Sequence, residues 1–199
     1  MKIPAPLLPL LPLLLPFTLM LLNPVEGQAA EHALKADKTR SFLEVDVKAT
    51  LHSFTAHLDT YETKFTADDA GKLKAALLSF KFTDLKTGDH DRDMEMIKWL
   101  GGGVPDGHFE LGILALAPDG QGQVTGRLTF HGQTQLIEFS VNALRTGDTY
   151  TIIGETTLDY RNWGLKVFKK DFVLKVDPEV KVRFKLTVVP VDNSPLTGG

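Results

Sequence analysis

Most of the chain alternates hydrophobic and polar residues at every second position, which is the pattern of half-buried β-strands. From Leu43 to His52 the odd-numbered positions are apolar and the even-numbered positions are polar. The same alternation returns in seven later segments, most of them bounded by turn sequences: 52–65, 75–83, 108–116, 124–130, 137–143, 150–158 and 180–188. About eight strands with short connections predict an all-β fold, either a sandwich or an up-and-down antiparallel barrel.

Three segments between or before these strands lack a steady alternation. Residues 30–40 are polar and predict a frayed lead-in to the first strand. Residues 67–72 contain two aspartates and a glycine and predict a turn. Residues 159–171 predict an irregular stretch with one helical turn near Val167.

One short helix is predicted over residues 89–100, between two of the strands. Asp89 can cap its first turn by accepting a backbone N–H. The three glycines at 101–103 end it, because glycine has no side chain to hold helical geometry. The helix has one apolar face, formed by Met96, Ile97 and Leu100. That face must lie on the sheet or across the mouth of a barrel, so the helix is either a packing element or a lid.

The first 29 residues differ from the rest of the chain and predict a signal peptide. They start with a basic residue, Lys2, continue as a leucine- and proline-rich stretch, and end in Gly27-Gln28-Ala29, which suits cleavage before Ala30. The alternative is an uncleaved membrane anchor, but five prolines between residues 4 and 16 interrupt helical hydrogen bonding. Residues 30–199 then form one domain, periplasmic or secreted, without stable insertion in a membrane.

Charge and composition exclude several classes of partner and chemistry. The net charge of −3 offers no basic excess for nucleic acid. The chain has no cysteine, which excludes disulfides and a thiolate nucleophile. An exported domain of this kind must be held together by packing and by hydrogen bonds between strands.

Three ordered stretches carry a resemblance to a known family. The first is Lys86-Thr87-Gly88 followed by Arg92-Asp93, the second is the hairpin sequence GRLTFHG at 126–132, and the third is YRNWG at 160–164. In this order they resemble the YceI-like family of exported polyisoprenoid-binding proteins. The last predicted strand, 180–188, fits the closing strand of that family. The sequence GGGVPDG at 101–107 departs from the family pattern after the helix.

The resemblance implies a lipocalin-like antiparallel barrel with a long apolar lumen. It also implies a ligand, namely a polyisoprenoid chain or another long-chain amphiphile, usually bound in the periplasm. Eight residues are therefore candidates for ligand contact: Phe80, Phe82, Ile97, Leu128, Phe130, Phe139, Trp163 and Phe184. The alternative is that these side chains simply fill the core, since aromatic rings can either fill a barrel or leave a tunnel.

Polar residues give weaker signals for a site. Arg92 and Asp93 are expected to form a structural pair, although a cation at the barrel mouth can also meet a phosphate or carboxylate head group. The six histidines show no metal-binding spacing. Asp89, Asp91 and Asp93 lack the glycine and glutamate that an EF-hand needs. We therefore expect no metal and no cofactor.

These observations favour a non-enzymatic protein that holds a long apolar molecule. Two other classes stay open at this point. One is an enzyme acting on a lipid or amphiphile, with His131 or Asp93 as an acid–base group. The other is a structural module whose barrel is filled by side chains. A dry tunnel without titratable groups would favour the carrier, and a strongly shifted pKa in a cleft would favour the enzyme.

Overall fold

The computed structural model describes residues 31–170 and 173–191, which are built mainly from antiparallel β-strands. The predicted signal peptide, residues 1–29, and its cleavage site lie outside the described residues. The strands are β1 His32–Ala36, β2 Phe42–Ala49, β3 Phe54–Leu58, β4 Tyr61–Ala67, β5 Leu73–Lys81, β6 Leu85–Lys86, β7 Asp106–Leu116, β8 Gln121–Phe130, β9 Gln133–Thr146, β10 Thr149–Asp159, β11 Lys169–Lys170 and β12 Leu174–Pro190. The helix α1 spans His90–Trp99, and single 3₁₀ turns span Lys38–Arg40, Phe82–Asp84 and Tyr160–Trp163.

Eight of these strands close into a ring. Their order is β1, β4, β5, β7, β8, β9, β10 and β12, and β12 pairs again with β1. Every strand pairing is antiparallel. The strands β2, β3 and β6 continue the sheet from β12. They start at the part of β12 that precedes its pairing with β1. The predicted all-β barrel of about eight strands with one short helix is confirmed.

The long strand β12 holds the two parts of the wall together. It pairs with β10 from Glu179 to Val188 on one side. On its other side it pairs with β2 along its first part and with β1 along its last residues. The register with β2 shifts between Val176 and Val180, so the strand bends there. One strand therefore contributes to both the upper and the lower rim of the barrel.

The prediction of a frayed lead-in at residues 30–40 is wrong, because β1 lies there. Leu34 and Ala36 are only 5% and 7% exposed, and β1 pairs with both β4 and β12. Two apolar residues in a five-residue strand give too short an alternation to recognise. Pairing with strands from distant parts of the chain supplies the hydrogen bonds that keep this segment ordered.

Two other expectations need correction. The segment 52–65 contains two strands, β3 and β4, because the chain turns at Asp59 and Thr60. The helical turn expected near Val167 lies earlier, at Tyr160–Trp163. There the Asp159 carboxylate accepts the N–H of Arg161, and Gly164 ends the turn in the left-handed region at φ 76°.

The helix α1 forms as predicted. The side chain of Asp89 accepts the N–H of Arg92 at 3.1 Å, and the cap residue itself is extended. Asp93 reaches back to the preceding loop and accepts the N–H and hydroxyl of Thr87 at 2.9 and 2.7 Å. Gly101 follows the helix at φ 101°, in a region where side chains are disfavoured. These contacts fix the helix across one end of the barrel.

Candidate ligand-binding site

A cavity of about 580 Å³ lies inside the barrel. Alternate residues of each strand face it, which is why the period-two pattern of the sequence predicts its wall. Along β12 the inward residues run from Leu174 to Leu186. The twelve steps from Leu174 to Leu186 span at most about 40 Å at roughly 3.3 Å each, so the apolar wall is elongated along this strand. The lining is almost entirely apolar.

The inner end of the barrel is packed shut. Leu34, Tyr61, Tyr150 and Val188 are at most 6% exposed and do not line the cavity. The hydroxyl of Tyr150 donates to the carbonyl oxygen of Gly71 at 2.8 Å, which ties the β4–β5 turn to β10. The cavity therefore has a blind inner end.

Three phenylalanine rings rest against glycines of a neighbouring strand. A Cβ atom added at Gly107 would lie 2.6 Å from the ring of Phe80. The equivalent distance is 2.6 Å between Gly154 and the ring of Phe184, and 2.4 Å between Gly126 and the ring of Phe109. Each glycine thus makes room for a ring along the wall. The rings contribute apolar surface without filling the lumen.

The mouth of the cavity carries most of the polar residues on its wall. They belong mainly to the β2–β3 turn, to α1 with its preceding loop, and to β11. The full set of polar and tyrosine side chains on the wall is His52, Thr87, Asp89, Asp91, Arg92, Glu95, Thr156, Tyr160 and Lys170. Two ion pairs lie at this rim. One is within the first turn of α1, between Arg92 and Asp89 at 3.5 Å, and the other joins β11 to α1, between Lys170 and Glu95 at 3.7 Å.

The expected pair of Arg92 and Asp93 does not form. Arg92 instead pairs with Asp89, and its guanidinium lies 4.3 Å from the ring centre of Phe54. Consecutive residues of a helix point in directions about 100° apart, so their side chains do not face each other. Arg92 therefore links α1 to β3 at the mouth, and Asp93 anchors the loop before the helix through Thr87.

The structure brings six of the eight candidate contact residues together on the cavity wall. These are Phe80, Phe82, Leu128, Phe130, Phe139 and Phe184. Ile97 and Trp163 are not part of the wall. Ile97 packs against a second cluster of buried side chains, which includes Trp163 and Leu165. Of the apolar face predicted for the helix, Met96 and Leu100 line the cavity and Ile97 does not.

Trp163 supports the wall from outside. It is 1% exposed and stacks on Phe130 with ring centres 4.6 Å apart. Its indole N–H donates to the carbonyl oxygen of Leu128 at 3.0 Å. His131 lies beside it, with Nδ1 2.9 Å from the Trp163 carbonyl oxygen. Trp163 therefore positions Leu128 and Phe130 of β8 on the cavity wall and does not line the cavity itself.

Several lining residues were not among the candidates. Phe109 lies on β7, whose alternation is clear in the sequence. Its position in that alternation is enough to predict that its ring faces the cavity. Trp99 and Phe168 also reach the wall, and their rings meet edge to face with a centre distance of 6.2 Å. Neither lies in an alternating segment, so the pattern of the sequence gives no signal for them.

Two titratable groups on the cavity wall have shifted pKa values. Burial raises the pKa of Tyr160, whose hydroxyl contacts the carbonyl oxygen of Val176 at 3.3 Å. Hydrogen bonding from the backbone of Arg92 lowers the pKa of Asp89, as a helix cap requires. Within residues 31–170 and 173–191, no three histidine or carboxylate side chains converge as a metal site would need. Nor do these residues include a helix long and apolar enough to span a membrane.

Comparison with solved structures shows the same barrel in several proteins from bacteria. The crystal structure of BcnA from Burkholderia cenocepacia matches with a TM-score of 0.65 at 18% identity, over 76% of this chain and 98% of that one. A polyisoprenoid-binding domain from Saccharophagus degradans, implicated in plant cell wall breakdown, matches with a TM-score of 0.61 at 18% identity. That match covers 80% of this chain and 99% of the other. At such identities these likenesses establish the fold.

A third structure, the YceI protein of Campylobacter jejuni, matches with a TM-score of 0.51 at 13% identity, over 69% of this chain and 86% of that one. No curated protein sequence matches. The family model of the YceI-like domain matches residues 34–188, from within β1 to all but the last two residues of β12. The match therefore covers nearly all of the closed ring, and the chain belongs to the YceI-like family.

Proposed function

We propose that this protein binds a polyisoprenoid or another long-chain amphiphile inside its barrel and carries it through an aqueous compartment. The observation that carries the proposal is the elongated apolar cavity with a blind inner end. Its volume of about 580 Å³ falls within the range typical of small-molecule sites. The Saccharophagus degradans domain, described as polyisoprenoid-binding, has the same fold.

Binding energy in such a cavity comes from desolvation of the ligand. Each CH₂ group removed from water contributes about 0.8 kcal/mol, so a chain of several isoprene units binds well without specific polar contacts. The ion-paired rim places polar groups where a head group emerges. An elongated apolar lumen with a polar rim suits an amphiphile bound with its tail inward.

The two alternative functions receive less support. His131 and Asp93, the acid–base candidates, do not line the cavity. Both are engaged elsewhere, His131 with the Trp163 carbonyl oxygen and Asp93 with Thr87. We therefore favour a carrier without catalytic activity. A purely structural module would have its barrel filled by side chains, and the open cavity argues against that function.

Ligand identity is tested by extraction and rebinding. Organic extraction of protein purified from its native host is expected to yield one long-chain amphiphile per chain, identified by mass spectrometry. Delipidated protein should then rebind a long isoprenoid alcohol with a stoichiometry near one. Failure to rebind isoprenoid alcohols and other long-chain amphiphiles alike would overturn the proposal.

A pair of variants ties this binding to the lumen. Val45 lies on the cavity wall, so Val45→Trp narrows the lumen. Leu136→Trp adds the same ring at a position that is 67% exposed on the outer surface. The first variant should lose at least tenfold in affinity and the second should bind normally, with thermal unfolding confirming that both are folded. Equal affinities would place the ligand elsewhere.

Export belongs to the same proposal. We infer that the chain is cleaved before Ala30 and acts in the periplasm or outside the cell, on the basis of its leucine- and proline-rich leader. Intact-mass analysis of protein from the native host should give the mass of residues 30–199. Retention of the first 29 residues in a membrane fraction would instead indicate an anchor.

A further inference from the structure

The side of the mouth formed by β11 and the start of β12 differs in charge from the rest of the chain. Residues 165–176 contain four lysines and one acidic residue, Asp171, whereas the whole chain has a net charge of −3. Lys166, Lys169 and Lys175 are exposed to solvent. The only acidic residue of this stretch lies outside the described residues. The stretch therefore concentrates positive charge at the edge of an apolar cavity.

Two exposed apolar side chains lie at the tip of the same region. Leu51, in the β2–β3 turn, is 56% exposed, and Val173, just before β12, is 62% exposed. The two segments are joined, because the hydroxyl of Thr50 donates to the carbonyl oxygen of Val173 at 2.7 Å. A backbone hydrogen bond from Thr50 to Lys175 at 3.0 Å adds to this link. Two apolar tips thus project side by side from a hydrogen-bonded rim.

A shallow groove of about 360 Å³ adjoins the mouth. It shares Glu95, Trp99 and Phe168 with the wall of the main cavity. Its remaining residues are Lys98, Lys166, Val167 and Lys169. Glu95 is the one carboxylate in the groove and already pairs with Lys98 and Lys170, at 3.5 and 3.7 Å. The groove presents a surplus of ammonium groups to any anion that approaches.

We propose that this face, defined by Leu51, Val173, Lys98, Lys166 and Lys169, docks onto the surface of a lipid bilayer that contains anionic lipids. Lysines next to such a surface are attracted by its negative potential, and apolar side chains beside them enter the interfacial region. We call it the docking face. Asp89 and Asp91 lie at the start of α1, whereas Lys98 lies in its last turn, so the barrel tilts with β11 and the end of α1 toward the bilayer.

Docking in this orientation brings the cavity mouth to the bilayer, where a long apolar molecule resides. The inference goes beyond the proposed function, because vesicle binding is measured without reference to what the cavity holds. Extraction and rebinding of a ligand test the carrier function separately. Vesicle binding can therefore fail while ligand rebinding succeeds, and ligand rebinding can fail while vesicle binding succeeds.

The test uses the chain as purified from its exporting host, with its N-terminus fixed by mass spectrometry. Co-sedimentation is measured with vesicles of phosphatidylcholine alone and with vesicles containing 30% phosphatidylglycerol as the probe. Binding should require the anionic lipid, and it should weaken as salt rises from roughly 0.05 to 0.5 M because the Debye length shortens. Absence of binding to the anionic vesicles, or equal binding to both kinds, would overturn the proposal.

Charge-reversal variants locate the docking face. The double variant Lys166→Glu with Lys169→Glu should lower the partition coefficient on anionic vesicles by at least about tenfold. Lys35→Glu with Lys64→Glu makes the same charge change at exposed positions on β1 and β4, away from the mouth, and should leave binding nearly unchanged. Equal losses in the two variants would mean that net charge alone drives binding, and the docking face would be rejected.

A second pair of variants tests the apolar tips. Val173→Asp should weaken vesicle binding severalfold, whereas Leu136→Asp, at an equally exposed position on β9, should not. Thermal unfolding of each variant checks that the fold is intact. If only the lysines matter and Val173→Asp binds normally, the region recognises anions without entering the bilayer, which contradicts the proposed docking.

Discussion

At the scale of single residues, three glycines decide how much of the lumen is open. Gly107, Gly126 and Gly154 all lie at inward-facing positions of their strands, where a larger side chain would occupy the lumen. Glycine in a strand interior weakens it, because backbone entropy is lost and no side chain packs. Here the aromatic ring of a neighbouring strand covers each glycine and restores that packing.

The glycines are not equivalent, and this gives a prediction about stability. Around Gly107 the added methyl group of alanine meets only the end of the Phe80 ring, which can move into the lumen. Around Gly126 it also meets the backbone oxygen of Glu110 at 2.7 Å, which cannot move freely. We expect Gly126→Ala to lower the free energy of unfolding by about 2 kcal/mol and Gly107→Ala to change it by less than about 1 kcal/mol.

Urea denaturation of both variants measures this difference. Gly107→Ala should also reduce ligand binding, because the displaced ring occupies lumen volume. Equal destabilisation of the two variants would mean that the Phe80 ring is held as firmly as the backbone.

Asp37 gives a prediction about pH. Its carboxylate accepts hydrogen bonds from the Thr39 hydroxyl and from the Arg40 guanidinium, and these lower its pKa from 3.8 to about 2. A group with a lowered pKa in the folded state stabilises the fold above its unfolded pKa and loses that effect as pH falls through the folded value. The contribution of Asp37 should therefore be complete above about pH 4 and vanish near pH 2.

The measurement compares Asp37→Asn with the unmodified chain by thermal unfolding at pH 7 and at pH 2. The variant should be less stable at pH 7, and the difference should shrink at pH 2. Asp148→Asn removes a carboxylate that is 81% exposed, and it serves as the control. A difference for Asp37→Asn that is the same at both pH values would show that its carboxylate charge does not matter.

The direction in which a side chain points can be predicted from the sequence where the alternation is regular. Phe80, Leu128, Phe139 and Phe184 lie on long strands, and their inward direction follows from position alone. Trp163 lies in a 3₁₀ turn outside the ring, where no period tells which way a side chain points. Its burial results from stacking on Phe130, a contact between residues far apart in the chain.

At the scale of elements, the helix α1 controls the mouth of the barrel. It has no fully buried residue, and it leans on the barrel through Met96 and the neighbouring Trp99. Trp99 also donates its indole N–H to the carbonyl oxygen of Lys166 at 2.9 Å, which joins the helix to the segment before β11. A helix without fully buried residues opens more readily than strands whose side chains form the core.

Removing the helix cap should loosen this element alone. Asp89→Ala deletes the acceptor for the Arg92 N–H, so amide hydrogen exchange in the first turn of α1 should accelerate while the strands stay protected. Asp91→Ala changes a carboxylate of the same turn that does not cap it, and it should have a smaller effect. Equal acceleration in both variants would indicate that charge near the helix dipole matters more than the cap.

The elements that sequence analysis missed have a common cause. The strand β1 and the strand β11 are five and two residues long, and each is held by pairing with β12. Pairing between distant segments leaves no local periodicity. The helix, in contrast, carries its cap, its apolar positions and its terminating glycines within a single stretch, and all three are readable from the sequence.

At the scale of the whole molecule, stability depends on closing the ring between β1 and β12. Leu34 pairs with Pro190 and is 5% exposed, so Leu34→Asp would bury an unpaired charge at the closure. We expect it to lower the free energy of unfolding by several kcal/mol, on the order of 3 or more. Ala33→Asp lies next to it on the exposed face of β1 and should have little effect. Chemical denaturation distinguishes the two.

The all-β fold follows from the number and pattern of strands, but their closure into a ring and the open lumen inside it do not. A void is the difference between the volume that the ring encloses and the volume that its side chains occupy. In this barrel that difference depends on where Phe80, Phe109 and Phe184 rest, which is set by glycines on other strands. The cavity therefore becomes visible only when the register of all strands is known.

The pairing of β1 with β12 also determines when the protein can fold. The two strands come from opposite ends of the described chain, so the barrel cannot close until β12 has been synthesised. Folds dominated by such non-local contacts have high contact order and fold in milliseconds to seconds. A nascent chain lacking its last strand has unpaired edges and no stable ring. The topology of the ring therefore keeps the chain from reaching its folded state until the synthesis of β12 is complete.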